Sequence, residues 1–348
     1  MIEVSESIWR SAEKSYLRVL PESLQVRCRS CSLALQRVLC DFGMEESFAK
    51  SVQRLKEHYG FELSPSAVAK ATLEHASEIA VERVENPHCL PQEGVGQIIA
   101  EADGSFLRIV NFDKVDEGDR SDEGGKVDAR KHRQVDYREV RLCAATAQGS
   151  DEVYYAATFD GVDTVSEWWA QSAKAVGMGL NTKVHVVSDG AVWIRTQAEN
   201  AFGEQTSVLI DFYHVCDYLS EASGSIDYLP KGWFEAQKKR LLEGDLEGLF
   251  KELKPHLESE TISDAEAPVR RAYRYLQNRP DALDYKQALE QNLPIGSGLI
   301  ESAHKHVLQA RMKIPGAAWK MEHAENMVRA RAFRANNKWD QYWDKKAA

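Results

Sequence analysis

Three carboxylates in this chain stand where the local pattern predicts the ends of strands or the start of a helix. Asp103 and Asp189 each follow an apolar run, residues 98–102 and 184–188, and each precedes a glycine. Glu301 follows the small-residue turn Gly-Ser-Gly at 296–298 and falls in the first turns of a predicted helix. Such a set could bind two divalent ions, which can activate a nucleophile and stabilise a leaving oxygen on phosphorus.

The N-terminal region reads as helical. Apolar spacing predicts helices over residues 4–43 and 46–59, the second ended by Gly60. Ser64 is then a predicted N-cap, with Pro65 at the first position of a helix that runs toward residue 84. A helix, a short glycine-containing turn and a helix form the pattern of a helix-turn-helix. The same pattern also occurs in helix pairs that do not touch DNA.

The hydrophobic period changes to that of strands after a boundary at residues 87–91. Apolar, β-branched segments predict strands at 98–103, 105–110, 140–146 and 153–158, with a long charged loop over 113–136. The segments that follow are a helix at 164–176, a strand at 183–188, a helix at 191–202 and a strand at 207–211. This order of strands, then helix, strand, helix and strand, is that of a ribonuclease H-like fold. Residues 213–290 then read as helices broken near prolines 230, 255, 268 and 280.

Several short motifs, taken in order, resemble those of a known family. They are SDGAxW at 188–193, LIDFYH at 209–214, GSGxxES at 296–302, LQARMKIPGAAW at 308–319 and NNKWDQYW at 336–343. From about residue 45 onward the chain resembles a DDE transposase of a bacterial insertion sequence, of the Mutator-like, ISKra-type branch. Asp211-x-x-His214 matches the Asp/Cys-x-x-His signature that such transposases carry between the second Asp and the Glu.

The resemblance implies an α/β fold with a ribonuclease H-like core, whose mixed sheet has five strands, and an all-α insertion. It divides the chain into an N-terminal helical DNA-binding region (1–90), the first part of the core (95–214), the insertion (215–292) and a C-terminal helical part that carries Glu301 (293–348). The implied activity is Mg²⁺-dependent cleavage at element ends and strand transfer into target DNA. The implied partners are terminal inverted repeats, target DNA and further copies of the chain. The alternatives are an inactive or domesticated DNA-binding derivative and a metal-dependent DNA nuclease.

Two Asp-Gly pairs compete as the source of the first metal ligand, Asp103 and Asp160. Between that ligand and Asp189 the fold needs two more strands and a crossover helix, for which only the segment after Asp103 is long enough. Asp103, Asp189 and Glu301 are therefore the predicted catalytic metal ligands, and Asp160 is assigned to a turn. An all-oxygen site suits two Mg²⁺ ions, for which Mn²⁺ can substitute. Taken singly, each Asp-Gly is more simply explained as a turn.

Other candidate residues are assigned supporting or DNA-contacting roles. Asp211 and His214 are predicted to support the pocket, although a structural hydrogen bond at a strand end would explain the pair as well. Five basic side chains are predicted to contact DNA: Lys70, His304, Lys305, Arg311 and Lys313. For the last four the alternative is a solvated basic helix face.

Composition limits these interpretations. The 348 residues carry a net charge of −10, which argues against tight unaided DNA binding, but the last 47 residues carry +6 and residues 61–301 carry −17. No apolar run reaches the length of a membrane span, and no signal peptide is recognised, so a cytoplasmic, nucleoid-associated protein is expected. Cys28, Cys31 and Cys40 lack the second ligand pair of a zinc finger and are expected to be reduced thiols. The cluster at Trp339, Tyr342 and Trp343 is expected to pack on the core.

Overall fold

The computed structural model describes residues 9–10, 16–17, 31–81, 89–112 and 133–348. The chain divides into two compact units. The first contains residues 1–83, 106–139 and 304–348, and the second contains residues 84–105 and 140–303. No helix in the described ranges is both long enough and apolar enough to cross a membrane.

The described residues in the N-terminal part of the first unit form two short strands and three helices. Strands β1 (Trp9–Arg10) and β2 (Tyr16–Leu17) pair antiparallel, and α1 (Leu33–Glu45), α2 (Phe48–Tyr59) and α3 (Pro65–Val81) follow. Ser47 caps the start of α2, and Gly60 ends it in the left-handed conformation at φ +68°. The Ser64 hydroxyl accepts the Ala67 amide at 3.3 Å at the start of α3. The predicted helices at 46–59 and after Ser64 are thereby confirmed.

The larger sheet of the described residues is mixed and has five strands. Its strands are β3 (Gln97–Phe112), β4 (Arg133–Ala147), β5 (Val153–Thr158), β6 (Lys183–Ser188) and β7 (Thr206–Ile210), in the spatial order β5-β4-β3-β6-β7. β3, β6 and β7 run parallel, whereas β4 and β5 are antiparallel. This mixed sheet is compatible with a ribonuclease H-like core.

Alternation along the strands gives the sheet two different faces. Ile98, Ala100 and Ala102 lie on one face and pack with helices α4 (Val165–Ala175) and α5 (Val192–Phe202) in a continuous apolar cluster. Residues 99, 101 and 103 point to the opposite face. One face of the sheet is therefore committed to the core, and the other is available for polar side chains near the ends of the strands.

Helices follow β7, as the proline-broken pattern predicted. They are α6 (Phe212–Ser225), α7 (Trp233–Glu243), α8 (Leu246–Leu253), α9 (Pro268–Gln277), α10 (Tyr285–Glu290) and α11 (Gly298–Ala303). A second apolar cluster, which includes Leu219, Leu241 and Leu276, joins helices α6 to α10. In the first unit the chain then forms a π-helical turn (His304–Gln309) and helices α12 (Ala310–Met312), α13 (Met321–Ala335) and α14 (Trp339–Ala347).

Two predictions of secondary structure were wrong. Within the region predicted as helical at 4–43, Trp9–Arg10 and Tyr16–Leu17 are strands, which the aromatic residues Trp9 and Tyr16 favour, whereas Leu33–Glu45 is helical as predicted. The strands predicted at 98–103 and 105–110 are one strand, β3, so Asp103 and Gly104 lie inside a strand and form no turn. Residues 87–88 of the predicted boundary and residues 113–132 of the predicted loop lie outside the described residues.

Candidate active site

The register of three parallel strands aligns three aspartates. Glu101 pairs with Val187 across β3 and β6, and Val187 pairs with Leu209 across β6 and β7. Asp103, Asp189 and Asp211 each lie two positions after one of these paired residues in the sequence. Side chains two apart in a strand share a face, and neighbouring strands lie about 4.8 Å apart. The three acids therefore form a row across one edge of the sheet.

Glu301 of α11 joins this row around a single pocket of about 280 Å³. Asp103 is half-buried, whereas Asp189 and Glu301 are exposed. The remaining lining residues include Tyr213, His214, Asp217 and Ser297. The fold thus brings the three predicted metal ligands to one pocket.

Asp160, the competing candidate, does not line this pocket. Its backbone amide donates to the Thr158 hydroxyl at 2.9 Å, just after β5. Because β5 is at the far edge of the sheet from β6 and β7, topology separates Asp160 from Asp189.

The chemistry of the pocket fits hard divalent cations. Its three predicted ligands are carboxylates, and oxygen donors are those that Mg²⁺ and Mn²⁺ prefer. Within the described ranges no three His, Cys, Asp or Glu side chains are already arranged around one ion position. Asp189 and Glu301 are exposed, so their side chains have room to change rotamer. That they share an ion cluster with Asp103 stays a prediction.

Asp211 is buried, and both of its oxygens are occupied by donors. Oδ1 accepts the amides of Tyr213 at 2.7 Å and His214 at 3.1 Å, and so caps α6. Oδ2 accepts the Ser297 amide at 2.6 Å and also the Ser297 hydroxyl. With four hydrogen bonds to accept, this carboxylate has little capacity for a metal ion. The geometry favours the predicted supporting role, in which Asp211 joins the end of β7 to the turn before Glu301.

A buried glutamate that sequence reasoning missed lies two residues before Asp103. Glu101 is 1% exposed, and its Oε2 accepts the Ile300 amide at 2.8 Å. Burial, together with the charges of Asp211 and Glu301, raises the pKa of Glu101 to about 8, although the Ile300 and Leu299 amides oppose the shift. The sequence signal that could have identified Glu101 is an acidic residue inside the apolar run at 98–102, which was predicted to be a strand.

Residues of α9 and the segment after it hold the turn that carries Asp189. The Tyr275 hydroxyl donates to the Asp189 carbonyl at 2.6 Å, and the Arg279 guanidinium donates to the Gly190 carbonyl at 3.2 and 3.3 Å. Gly190 has φ +80°, and a Cβ there would meet the Tyr275 hydroxyl at 2.6 Å. Glycine is required at this position for both reasons. No sequence signal linked these helical residues to the turn, because 86 positions separate Tyr275 from Asp189.

His214, the second supporting candidate, is half-buried beside aromatic rings. Its ring centroid lies 5.4 Å from that of Tyr218 and 5.9 Å from that of Tyr275, both in edge-on geometry. Tyr218 and Tyr275 stack on each other at 4.3 Å. His214 therefore contacts the same tyrosine that holds the Asp189 turn.

The predicted DNA-contacting residues fall into two groups. Lys70, Lys305 and Lys313 are exposed, and Lys70 pairs with Glu74 at 3.5 Å. His304 and Arg311 are buried, at 6% and 2% exposure. Burial corrects the expectation for these two side chains, because a phosphate outside the protein cannot reach them as they stand.

Arg311 has partners inside the first unit. Its Nε donates to the Gly43 carbonyl at 2.9 Å, and its guanidinium lies over the rings of Phe48 and Trp319 at 4.7 and 4.8 Å. Burial lowers the pKa of Arg311 to about 10, and the charge of Arg331 acts in the same direction. The side chain is a structural element of the first unit.

The remaining expectations concern cysteines and the C-terminal aromatic cluster. Cys31 and Cys40 are buried free thiols, and Cys28 lies outside the described residues. Trp339, Tyr342 and Trp343 are at most 7% exposed, which confirms that they pack on the core.

Comparison with known proteins identifies a family but no activity. The model of an uncharacterised protein family, UPF0236, matches residues 6–346. The chain belongs to this family. No curated protein matches it.

Proposed function

We propose that this UPF0236 member is a divalent-metal-dependent transposase that cleaves DNA at the ends of an insertion element and joins those ends to target DNA. One observation carries the proposal: the strand register aligns Asp103 and Asp189 at one edge of the sheet, and Glu301 lines the same pocket. The strand order and the motif resemblance support a ribonuclease H-like core of the DDE type. The proposed setting is the bacterial cytoplasm, with element-end and target DNA and further copies of the chain as partners.

In this proposal Asp103, Asp189 and Glu301 hold two Mg²⁺ or Mn²⁺ ions. Bound ions of this kind activate an attacking oxygen and stabilise charge on the leaving oxygen. Glu301 and Asp189 are exposed, so a phosphodiester backbone can reach their carboxylates. Asp211 holds the Ser297 turn, and Tyr275 holds the Asp189 turn. Exposed Lys305 and Lys313 supply phosphate contacts that fix the DNA without reading its sequence.

The decisive experiment separates chemistry from DNA binding. Asp103→Asn, Asp189→Asn and Glu301→Gln each remove one charge with little change in size, so cation binding should weaken. Each variant is assayed with Mg²⁺ on labelled DNA that carries the inverted repeats flanking the coding region, beside a gel-shift assay. We expect cleavage and joining to be lost while end binding and fold are retained. Asp160→Asn is the matched control and should keep most of the activity.

The assay also separates the alternatives. Cleavage without a joined product would indicate a metal-dependent nuclease. Specific binding with neither cleavage nor joining in the wild-type protein would indicate a DNA-binding derivative. Full activity of Asp189→Asn would refute the assignment of the pocket. If Asp160→Asn loses activity while Asp103→Asn stays active, the first metal ligand is Asp160 and not Asp103.

A further inference from the structure

A buried carboxylate lies in the strand that carries Asp103. Glu101 is 1% exposed and, two residues from Asp103 in β3, shares its face of the sheet. Carboxylates are almost never fully buried unless a partner satisfies them. The partner of Glu101 therefore indicates what the residue does.

That partner is the start of the helix that carries Glu301. The Ile300 amide donates to Glu101 Oε2 at 2.8 Å, and the Leu299 amide acts on the same carboxylate. Both amides belong to the first turn of α11, where backbone N–H groups have no partner within the helix. Glu301 is the next residue after Ile300. One side chain thus ties β3, two residues from Asp103, to the helical turn that presents Glu301.

Two other strands hold the preceding part of the same segment. His185 of β6 donates from Nε2 to the Pro294 carbonyl at 2.9 Å, and Asp211, just after β7, accepts the Ser297 amide at 2.6 Å. Loss of Glu101 would therefore release the start of α11 while the turn before it stays attached.

We propose that Glu101 is a positioning residue that holds Glu301 at the pocket, so that Asp103, Asp189 and Glu301 can share divalent cations. The inference rests on the proposed function, because it assigns cation binding to those three carboxylates. Glu101 does not itself line the pocket. It acts through the backbone of its neighbours, as outer-shell residues of metal sites do.

The anchoring is tested first by hydrogen exchange. We compare the wild-type chain with Glu101→Ala, which removes the acceptor, and with Glu101→Gln, which keeps a carbonyl oxygen to accept one amide. We expect the amides of residues 298–303 to exchange faster in Glu101→Ala and at an intermediate rate in Glu101→Gln. Exchange of this segment at the wild-type rate in Glu101→Ala would overturn the proposal.

The consequence for the pocket is tested by Mn²⁺ binding, measured from the electron paramagnetic resonance signal of free Mn²⁺ without DNA. Loss of an outer-shell contact typically weakens metal binding about 10- to 100-fold, and we expect a loss of this size in Glu101→Ala with partial recovery in Glu101→Gln. The control is Val186→Ala, which opens a cavity on the opposite, apolar face of β6 and should lower the melting temperature without changing Mn²⁺ affinity.

The outcomes distinguish the inference from the function on which it rests. If the wild-type protein binds Mn²⁺ and cleaves DNA, and Glu101→Ala binds Mn²⁺ with equal affinity, only the positioning role is overturned. An equal loss of affinity in Val186→Ala would reduce the effect to general destabilisation and would also overturn it. Wild-type protein that neither binds Mn²⁺ nor cleaves DNA would contradict the proposed function, and the positioning role would fail with it.

Discussion

The two units of this chain differ in the ionisable side chains that they bury: among the described residues the first unit buries Arg311 and Arg331, whereas the second buries the carboxyl groups of Glu101 and Asp211 as well as Arg270. In the first unit Arg331 donates to the carbonyl oxygens of Val307, Met44 and His306, and Arg311 donates to that of Gly43. In the second unit Glu101 and Asp211 accept backbone amides. In each unit backbone groups are the partners of these buried side chains, which thereby join segments that are distant in sequence.

Residue type alone therefore does not show whether a charged side chain serves the function or the structure. Four residues of the basic segment 302–348 were predicted to contact DNA, but one of them, Arg311, is buried and structural, as is Arg331 in the same segment. The acidic second unit contains both exposed carboxylates at the pocket and buried carboxylates that hold backbone. Exposure separates these two groups within each unit, and substitutions can test that separation.

The largest effect is expected at Arg331. Arg331→Met keeps most of the length of the buried side chain but removes the guanidinium that donates to three carbonyl oxygens. The free energy of unfolding should therefore fall by about 3–5 kcal/mol. Urea unfolding measures the change. Lys305→Met, an exposed control, should stay within about 0.5 kcal/mol of wild type. Equal stability of the two variants would contradict the structural role of Arg331.

Arg311 should give the next largest effect and should not be rescued by lysine. Lysine keeps the charge but lacks the planar group that lies over Phe48 and Trp319 and reaches the Gly43 carbonyl. Arg311→Lys should lose about 2 kcal/mol of unfolding free energy, while the DNA affinity of the folded fraction stays unchanged. If stability is unchanged while DNA binding becomes weaker and less dependent on salt, Arg311 contacts a phosphate, as the sequence predicted.

Tyr275→Phe should have a smaller effect that reaches the pocket. The substitution removes only the hydroxyl that donates to the Asp189 carbonyl, a bond worth about 1 kcal/mol. We expect a cleavage rate about three- to tenfold lower, with unchanged end binding. Tyr273→Phe on the same helix is the control. Equal rates for the two variants would show that the Asp189 turn does not depend on the hydroxyl.

The smallest effect on stability is expected at the exposed lysines. Lys305→Gln and Lys313→Gln should each leave the unfolding free energy within about 0.5 kcal/mol of wild type. Each should weaken DNA binding for all sequences alike and reduce the salt slope by about 1 if the side chain contacts a phosphate. Binding isotherms at several salt concentrations measure this, and an unchanged slope would indicate a solvated lysine.

Much of the fold follows from local sequence. Ser47, Gly60 and Ser64-Pro65 set the bounds of α2 and the start of α3, and alternation and period predicted β5, β6, β7 and the helices between them. These signals succeed because caps, prolines and periodicity act over a few residues. They failed at residues 4–43, where scattered apolar positions fit more than one period. They failed also at Asp103-Gly104, a dipeptide that often forms turns but here lies within the continuous strand β3.

Local patterns were enough to identify the candidate carboxylates, since Asp103, Asp189 and Glu301 each carry such a signal. The alignment of Asp103 and Asp189 by strand register, and the backbone amides bound by Asp211 and Glu101, depend on the folded chain. So does the burial of Arg311 and His304. The physical reason is distance along the chain: Glu101 and Ile300 are 199 residues apart, and no local pattern encodes a hydrogen bond between them.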